Sequence, residues 1–246
     1  MREHVWRASP SLAMIKYWGK AVPAAGTGDA DIAGSNIPAS FSLAVGLEGL
    51  YSETRVRLAD DGMDRVVLAG READPARYAG FFSGLRLLLG VEHHWECCSE
   101  NNFPTAAGLA SSSSGFAALA AACAAASAAI TGEPVPHELL SQAARIGSAS
   151  AARAVWSGFV ALRAGARSAE QVHAPDWWPA LRVIVVRISD LPKEASSRDA
   201  MEVTRLTSPY YQAWLEDSPR VYAEALEALA ARDLGRLGPR SEEHTS

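Results

Sequence analysis

The most informative stretch of the sequence is Asn101-Asn-Phe-Pro-Thr-Ala-Ala-Gly-Leu-Ala-Ser-Ser-Ser-Ser-Gly115. Its small residues let the backbone curl so that successive N–H groups converge, and a helix that begins here adds partial positive charge. The hydroxyls of the four serines can bond phosphate oxygens or a Mg²⁺ ion. The stretch therefore predicts a phosphate-binding loop. It is not a Walker A loop, because no Gly-Lys-Ser/Thr follows.

The same serines also have a structural interpretation. Serine is a preferred N-cap residue, so a serine-rich stretch would suit the start of a buried helix without any ligand. A cap needs one hydroxyl, however, whereas Ser111 to Ser114 offer four behind Pro104-Thr-Ala-Ala-Gly108. This surplus favours anion binding over capping alone.

Small residues continue at almost every position of 106–130, and the run ends at Thr131-Gly132. Alanine has the highest helix propensity and allows close approach, so this run predicts a helix packed tightly against a sheet. Its most apolar part, from Phe116 to Ile130, is too short to span a bilayer.

Apolar and β-branched runs predict strands on both sides of this helix. They lie at 5–15 with a break at Pro10, and at 40–47, 51–58, 66–68, 95–99, 159–163 and 181–188. The connection Glu48-Gly49-Leu50 predicts that 40–47 and 51–58 form a hairpin. Further helices are predicted at 75–89, 137–146, 198–204 and 210–232. This order predicts an α+β fold in which helices cover one face of a mixed sheet.

The composition of the 246 residues excludes several classes of protein. Hydrophobic residues make up 48% and charged residues 21%, which excludes disorder. The net charge of −5, without a basic run, argues against a nucleic-acid partner. The N-terminus lacks the apolar core of an export signal, and no segment predicts a membrane partner. Three cysteines without a CxxC pair predict reduced thiols in a cytoplasmic protein.

The chain has 20 arginines but only 3 lysines, and Lys16 and Lys20 both lie in the segment Lys16-Tyr-Trp-Gly-Lys20. A compact ammonium fits between phosphate groups as a point charge, a role in which a planar guanidinium does not replace it. The bias against lysine therefore favours a phosphate-contacting role for the pair, although three lysines can also fall together by chance.

Four blocks of sequence together resemble one family. The blocks are Ile15-Lys-Tyr-Trp-Gly-Lys20; the serine stretch; Gly147-Ser-Ala-Ser-Ala-Ala-Arg153 with Gly158-Phe-Val160; and Ser196-Ser-Arg-Asp-Ala-Met201 with Thr207-Ser-Pro209. In this order they resemble the diphosphomevalonate decarboxylase family, a branch of the GHMP small-molecule kinase superfamily. The first two blocks separate this branch from other members of the superfamily.

The resemblance implies a GHMP-kinase-like fold. Its N-terminal lobe would be of the ribosomal protein S5 domain 2-like type, with a mixed sheet and covering helices, followed by a partial C-terminal α/β lobe. The family uses ATP and Mg²⁺ to phosphorylate a tertiary hydroxyl of (R)-5-diphosphomevalonate, and loss of that phosphate and of CO₂ gives isopentenyl diphosphate in the mevalonate pathway. The implied partner is this small phosphorylated substrate, and the family tends to form homodimers.

The resemblance also implies roles for individual residues. Lys16 would lie near the reacting hydroxyl and phosphoryl group, and Arg153 would share the catalytic role. The residues implied for substrate binding are Tyr17, Lys20, Ser148, Ser150, Arg153, Ser197, Arg198 and Met201. The residues implied for nucleotide binding are Ala107, Gly108, Leu109, Ser111, Ser112 and Ser113, with Ser111 also on the Mg²⁺ ion.

Taken singly, several residues have ordinary structural explanations. Tyr17 would suit a core, Arg153 a solvated helix face, and Ser196-Ser197 an N-cap. Outside the four blocks, His93-His94 lacks a third ligand at metal spacing, which favours solvation over a zinc site. Cys97-Cys98 predicts a strand pair with one side chain facing the core.

The chain departs from the family pattern at several positions. Ala149 stands where a glycine is usual between two serines, which bears on a backbone contact to the diphosphate. Ala154 and Ser157 replace a common serine and glycine, and Ser11 replaces an asparagine. The family's catalytic aspartate lies in a Gly-rich segment after a Met-His-Ala motif, and neither is present in the 246 residues.

The last seven residues, Arg240-Ser-Glu-Glu-His-Thr-Ser246, differ in composition from the Ala-, Leu- and Arg-rich sequence before them and are expected to be non-native. The sequence therefore predicts a fragment that lacks its catalytic base. The expected organisation is a nucleotide-binding lobe at 1–175, an incomplete C-terminal lobe at 176–239 and this tail at 240–246. Three alternatives stay open: a relative that accepts the monophosphate, a mevalonate 3-kinase-type relative that does not decarboxylate, and an inactive phospholigand-binding fragment.

Overall fold

A computed structural model describes residues 2–21, 36–104, 111–186 and 197–242. The strands are β1 (His4–Ala8), β2 (Ser11–Ile15), β3 (Ser42–Gly46), β4 (Ser52–Leu58), β5 (Arg65–Leu68), β6 (Arg71–Glu72), β7 (Trp95–Asn101), β8 (Phe159–Leu162) and β9 (Glu170–His173). The helices are α1 (Ala76–Leu89), α2 (Ser111–Thr131), α3 (His137–Gly147), α4 (Ala151–Ala154), α5 (Ser197–Thr207), α6 (Tyr211–Ala230) and α7 (Leu234–Glu242). A 3-10 turn covers Pro175–Trp177.

The first sheet contains strands in the order β1-β4-β7-β5-β6. It is mixed, because β5 runs parallel to β7 while the other neighbours are antiparallel. Helix α2 packs across β1, β4 and β7, and an aromatic cluster from α1 and β7 fills the adjoining core around Phe82 and Trp95. Cys97 faces this core and Cys98 is exposed, as the sequence predicts. The expected α+β fold with helices on a mixed sheet is confirmed.

The second sheet is antiparallel, in the order β2-β3-β8-β9, and the sequence analysis did not anticipate it as a separate sheet. Its core side chains pack against α6 and α7. Leu43 and Phe159 from the sheet meet Val221 and Leu229 of α6 in one buried cluster. The molecule therefore has two cores, with the predicted site segments running between them.

The expected hairpin of 40–47 and 51–58 is wrong. β3 pairs with β2 and β8 in the second sheet, whereas β4 pairs with β1 and β7 in the first. The chain passes from the first sheet to the second between β1 and β2, and from the second to the first between β3 and β4. These two connections lie side by side, and the Leu47 N–H donates to the Pro10 carbonyl oxygen there at 2.9 Å. A short connection between two strands is compatible with a hairpin and with a change of sheet. Which of the two forms depends on the strands with which each partner pairs, and these come from residues far away in the sequence.

The expected strand at 181–188 is also wrong for 181–186, and 187 and 188 lie outside the described residues. Side chains of this segment are exposed, with Ile184 at 85%. β-Branched residues form a strand where a neighbouring edge bonds their backbone, and none of the described strands pairs with this segment.

Among the described residues, α2 is the helix that is long and apolar enough to cross a membrane. This corrects the expectation that the apolar run is too short, since the helix has 21 residues. Most of it is buried against the first sheet and against α3 and α4. It is therefore a core helix, packed through its alanines as predicted. The first part of the predicted run, 106–110, lies outside the described residues.

The other predicted helices are confirmed as α1, α3, α5 and α6, with ends that differ by a few residues. Gly90 ends α1 in the left-handed conformation, and its N–H donates to the Arg86 carbonyl oxygen. The short elements β6, β9 and α7 were not predicted, whereas a helix without stated bounds was expected at Arg153, which lies on α4. Each of the unpredicted elements is too short, or too dependent on pairing with distant residues, to leave a periodic pattern.

Candidate functional site

The segment 16–20 leaves the end of β2 and crosses the gap between the two cores. The Trp18 N–H donates to the hydroxyl of the buried Ser40 at 3.2 Å. The Gly19 carbonyl oxygen accepts from the Ala39 N–H at 3.1 Å, and Lys20 forms an isolated β-bridge with Pro38. The backbone of the lysine segment is therefore held in place by 38–40.

The loop before α4 supplies the third motif block. The hydroxyls of Ser148 and Ser150 lie 3.2 Å apart, and both side chains are half-buried. The Ala151 N–H donates to the Ser148 carbonyl oxygen at 2.9 Å, which begins α4. Gly147 must be glycine, because a Cβ there would lie 2.1 Å from the ring of Phe116. This contact sets the direction in which the serine loop leaves α3.

Arg153 extends from α4 into the interior, where only 4% of it is exposed. Its Nη1 donates to the hydroxyl of Ser42 at 2.6 Å, and Ser42 in turn donates to the Leu162 carbonyl oxygen. Its Nε has no hydrogen-bond partner, and no carboxylate pairs with it, in the part of the chain that the structure describes. Burial lowers the pKa of Arg153 to about 10, and the nearby Tyr17 opposes this shift. The solvated position considered for Arg153 from the sequence is wrong.

The four consecutive serines at the start of α2 have different surroundings. Ser112 is exposed and Ser111 half-buried, whereas Ser113 and Ser114 are fully buried. The Ser114 hydroxyl bonds that of Ser52 on β4 at 2.7 Å. Ser111 and Ser112 are therefore the hydroxyls that a phosphate can reach from solvent, and Ser114 ties the helix to the first sheet. Ala107, Gly108 and Leu109 lie outside the described residues.

The fourth motif block lies on α5. Ser197 is exposed and Met201 half-buried, and the side chain of Arg198 is not described. One turn beyond Met201, Arg205 donates from its Nε to Glu202 at 2.9 Å. The pKa of the Glu202 carboxyl is lowered, mainly by the hydrogen bond from Arg205. Lys20 makes a smaller electrostatic contribution in the same direction.

A cleft of about 520 Å³ separates the end of the lysine segment from α5 and α6. Lys20, Arg205, Ser208 and Tyr211 line it. The structure thus brings Tyr17 to Arg153 and Lys20 to α5, which joins the first, third and fourth motif blocks along one path.

Several residues at this path were missed by the sequence analysis. Ser40 and Ser42 are buried polar residues at alternate positions of the apolar run 40–47, and that alternation was a usable signal. Asn36 donates from Nδ2 to the carbonyl oxygens of Arg145 and Ile146, which caps the end of α3. Nothing in the local sequence marks Asn36 for this role.

The two histidines have structural partners. His93 Nε2 lies 2.9 Å from the Ser127 hydroxyl, and His94 Nδ1 lies 3.3 Å from a carboxylate oxygen of Asp64. Within the described residues, no group of three or more His, Cys, Asp or Glu side chains is arranged to hold a metal ion.

These features describe an α+β domain of two sheets, with a serine-rich helix start and a cleft lined by Lys20 and Arg205. The family model for the diphosphomevalonate decarboxylase-like N-terminal domain matches residues 8–174. The chain belongs to the diphosphomevalonate decarboxylase family, which confirms the resemblance carried by the four motif blocks.

Individual relatives agree with this assignment. The diphosphomevalonate decarboxylase of Eremothecium gossypii is 33% identical over 92% of this chain, which covers 59% of that protein. The crystal structure of mevalonate diphosphate decarboxylase from Staphylococcus aureus is 35% identical, with a TM-score of 0.84 over 98% of this chain and 71% of that one. A structure of MDDEF in complex with MVAPP, AMPPCP and magnesium is 32% identical, with a TM-score of 0.81 over 98% and 72%. The chain thus spans about 60% of the curated relative's length.

Proposed function

We propose that this chain is part of a longer protein that catalyses the ATP-dependent decarboxylation of (R)-5-diphosphomevalonate to isopentenyl diphosphate, with release of ADP, phosphate and CO₂. The observation that carries the proposal is Arg153. Its guanidinium is buried, bonds Ser42 rather than a carboxylate, and keeps its Nε without a partner among the described residues. A buried cation that finds no counter-ion in the protein is stabilised by a substrate that brings one.

Arg153 remains a cation at neutral pH, because burial lowers its pKa only to about 10. Its planar guanidinium suits the two-oxygen edge of a carboxylate or a phosphate. Diphosphomevalonate carries both groups. We assign Arg153 to this anionic end, with the hydroxyls of Ser148 and Ser150 as further hydrogen-bond donors.

The lysine segment complements this end of the substrate. Lys16 is assigned to the reacting hydroxyl and the transferring phosphoryl group, and Tyr17 and Lys20 to the diphosphate. Support comes from their neighbours, since Tyr17 acts electrostatically on Arg153 and Lys20 on α5. Ser197, Arg198 and Met201 of α5 would complete the pocket. Such positioning and charge neutralisation are the main protein contributions to phosphoryl transfer.

The residues at the start of α2 fit the phosphates of ATP. Ser111 and Ser112 are reachable at the N-terminus of a 21-residue helix, where free N–H groups and the helix dipole attract anions. We propose that both bind nucleotide phosphates, with Ser111 also on Mg²⁺. Ser113 would act through its backbone, because its side chain is fully buried. When bound, ATP supplies the phosphoryl group that turns the tertiary hydroxyl into a leaving group.

The general base is proposed to lie outside this chain. A base must come within hydrogen-bond reach of the tertiary hydroxyl, and the family motif that carries the aspartate is not in the 246 residues. We therefore propose a nucleotide-binding lobe at 1–175, an incomplete C-terminal lobe at 176–239 and a non-native tail at 240–246. In this organisation the chain binds substrate but releases no CO₂.

A comparison of two proteins tests the proposal: the 246-residue chain, and a version extended by the adjoining genomic sequence through an aspartate close to Gly-Pro-Asn. Calorimetry measures binding of mevalonate 5-diphosphate and 5-phosphate, and a coupled assay measures ADP and CO₂. We expect both proteins to bind the diphosphate and only the extended one to release CO₂.

Other outcomes identify the alternatives. Preference for the 5-phosphate would indicate a phosphomevalonate decarboxylase, and ADP release without CO₂ would indicate a 3-kinase. Binding without turnover by the extended protein would indicate a phospholigand-binding protein. Equal CO₂ release by both proteins would mean that a carboxylate within the 246 residues is the base.

We further propose a cytoplasmic location and a homodimer for the longer protein. The location is supported by the cysteine pattern, since three cysteines form neither an even set nor a CxxC pair. Size-exclusion chromatography with light scattering of the extended version tests the dimer.

A further inference from the structure

The backbone of Gly19 is confined on two sides. Its φ of +100° is in the left-handed region that favours glycine, and on one side its carbonyl oxygen accepts from the Ala39 N–H. On the other side lies Tyr211, whose Oη would be 1.9 Å from a Cβ at Gly19, with Cζ at 3.0 Å. The phenol therefore fills the space that any other side chain at position 19 would occupy.

Tyr211 is itself held firmly. It lies on the first turn of α6, and two turns further on the Ser218 hydroxyl accepts from the Phe41 N–H at 3.1 Å. Residues 211 and 218 are seven apart, so they share one face of the helix. The ring of Phe41 also packs against Tyr222 at 5.1 Å. The face of α6 that contacts the second sheet thus presents Tyr211 to Gly19.

The contact lies at the residue directly before Lys20. Lys20 projects into the cleft beside Arg205, and its direction depends on the left-handed turn at Gly19. The Tyr211 hydroxyl is buried and has no hydrogen-bond partner among the described residues. Its contribution is therefore the shape of the ring and not a hydrogen bond. Burial also raises the pKa of Tyr211, so no phenolate introduces negative charge beside Lys20 at neutral pH.

We propose that Tyr211 is a positioning residue for the substrate's diphosphate: by packing over Gly19 it fixes the turn that directs Lys20 into the cleft. The inference rests on the proposed function, because it assumes that Lys20 meets the diphosphate. It extends that function, because it makes α6 part of the binding site through a contact that no motif block contains.

Calorimetric titration of the 246-residue chain with inorganic pyrophosphate and with mevalonate 5-diphosphate provides the test. Tyr211→Ala and Tyr211→Leu should each weaken both affinities roughly tenfold, since a lysine displaced by a fraction of an ångström loses most of its contact. Tyr211→Phe keeps the ring and should bind within about twofold of the wild type. Tyr210→Ala is the matched control, because Tyr210 is 77% exposed.

The contact itself is measured by thermal unfolding without any ligand. Gly19→Ala should lower Tm, and should lower it less in the Tyr211→Phe background, where the oxygen at 1.9 Å is gone. Equal losses in the two backgrounds would show that the Tyr211 oxygen does not press on Gly19, which contradicts the proposed contact.

Each titration outcome has one meaning. If folded Tyr211→Ala or Tyr211→Leu binds as the wild type does, the positioning role is wrong and the proposed function stands. If Tyr211→Phe binds as weakly as Tyr211→Ala, the hydroxyl and not the packing matters, and the inference is again wrong. If the wild type binds neither ligand, the proposed function fails first, and the inference fails with it.

Discussion

Two buried arginines, eight positions apart in sequence, lie in contrasting surroundings. Arg145, near the end of α3, donates from its Nε to the Arg167 carbonyl oxygen at 2.6 Å, and Asn36 binds its own carbonyl group. Arg153 on α4 bonds one serine hydroxyl and keeps its Nε free among the described residues. The first region closes a helix end with protein groups, whereas the second leaves hydrogen-bonding capacity for a ligand. Burial of an arginine therefore does not by itself indicate its role.

The largest effect is expected from replacing Arg153, which tests whether the two arginines have different roles. Arg153→Met should weaken mevalonate 5-diphosphate binding by at least about 30-fold, since removal of one partner from a buried charge pair costs ~2 kcal/mol or more. The free energy of unfolding should stay the same or rise, because the variant removes an uncompensated buried charge. Calorimetry and chemical denaturation measure the two quantities.

Arg145→Met is the matched control. It leaves the Arg167 carbonyl group without its donor, so unfolding should become easier by about 1–3 kcal/mol. If Arg153→Met and Arg145→Met lose the same amount of stability, both arginines are structural.

Gly147 lies between the two arginines, at the point where α3 ends and the loop to α4 begins. Gly147→Ala places a methyl group 2.1 Å from the Phe116 ring, which packs against Tyr78 and Phe81. Overpacking of this kind costs about 1–3 kcal/mol, and thermal unfolding should show it. Gly115→Ala is the control, because a Cβ there meets no described atom within 4 Å, and helix propensity predicts a gain of about 0.5–1 kcal/mol. A neutral Gly147→Ala would mean that the ring yields easily.

A second comparison, between Ser114 and Ser112, also separates a structural role from a binding role. Ser114→Ala removes a buried hydrogen bond to Ser52 and should cost about 1 kcal/mol of stability with no change in MgATP affinity. Ser112→Ala should leave stability unchanged and weaken MgATP binding, because this hydroxyl is exposed. Calorimetry and thermal unfolding separate the two effects. Loss of stability in both variants, with unchanged affinity in both, would favour the capping interpretation.

The smallest expected effect concerns Asn36, which adopts a φ of +57° while its side chain caps α3. Asn36→Gly keeps this conformation accessible and removes the two hydrogen bonds, so stability should fall by about 0.5–1.5 kcal/mol. Urea denaturation is sensitive enough to measure it. An unchanged midpoint would show that solvent caps the helix equally well.

Much of the candidate site could be predicted from the sequence, because serine-rich loops and lysine segments are local patterns. The alanine run, the stop at Gly90 and the four ordered motif blocks each depend on residues close together in the chain. Helix propensity and the chemistry of small or charged side chains act over such short distances. The family assignment rests on these local signals.

Contacts between residues far apart in the sequence could not be predicted and are seen only in the folded chain. The hydrogen bond from Arg153 to Ser42 joins positions 111 apart, and the packing of Tyr211 on Gly19 joins α6 to the lysine segment. The change of sheet between β3 and β4, and the absence of a paired strand at 181–186 among the described residues, depend likewise on edges supplied from elsewhere. A residue pattern specifies how much of an element is buried, whereas its neighbours are specified by the packing of the whole chain.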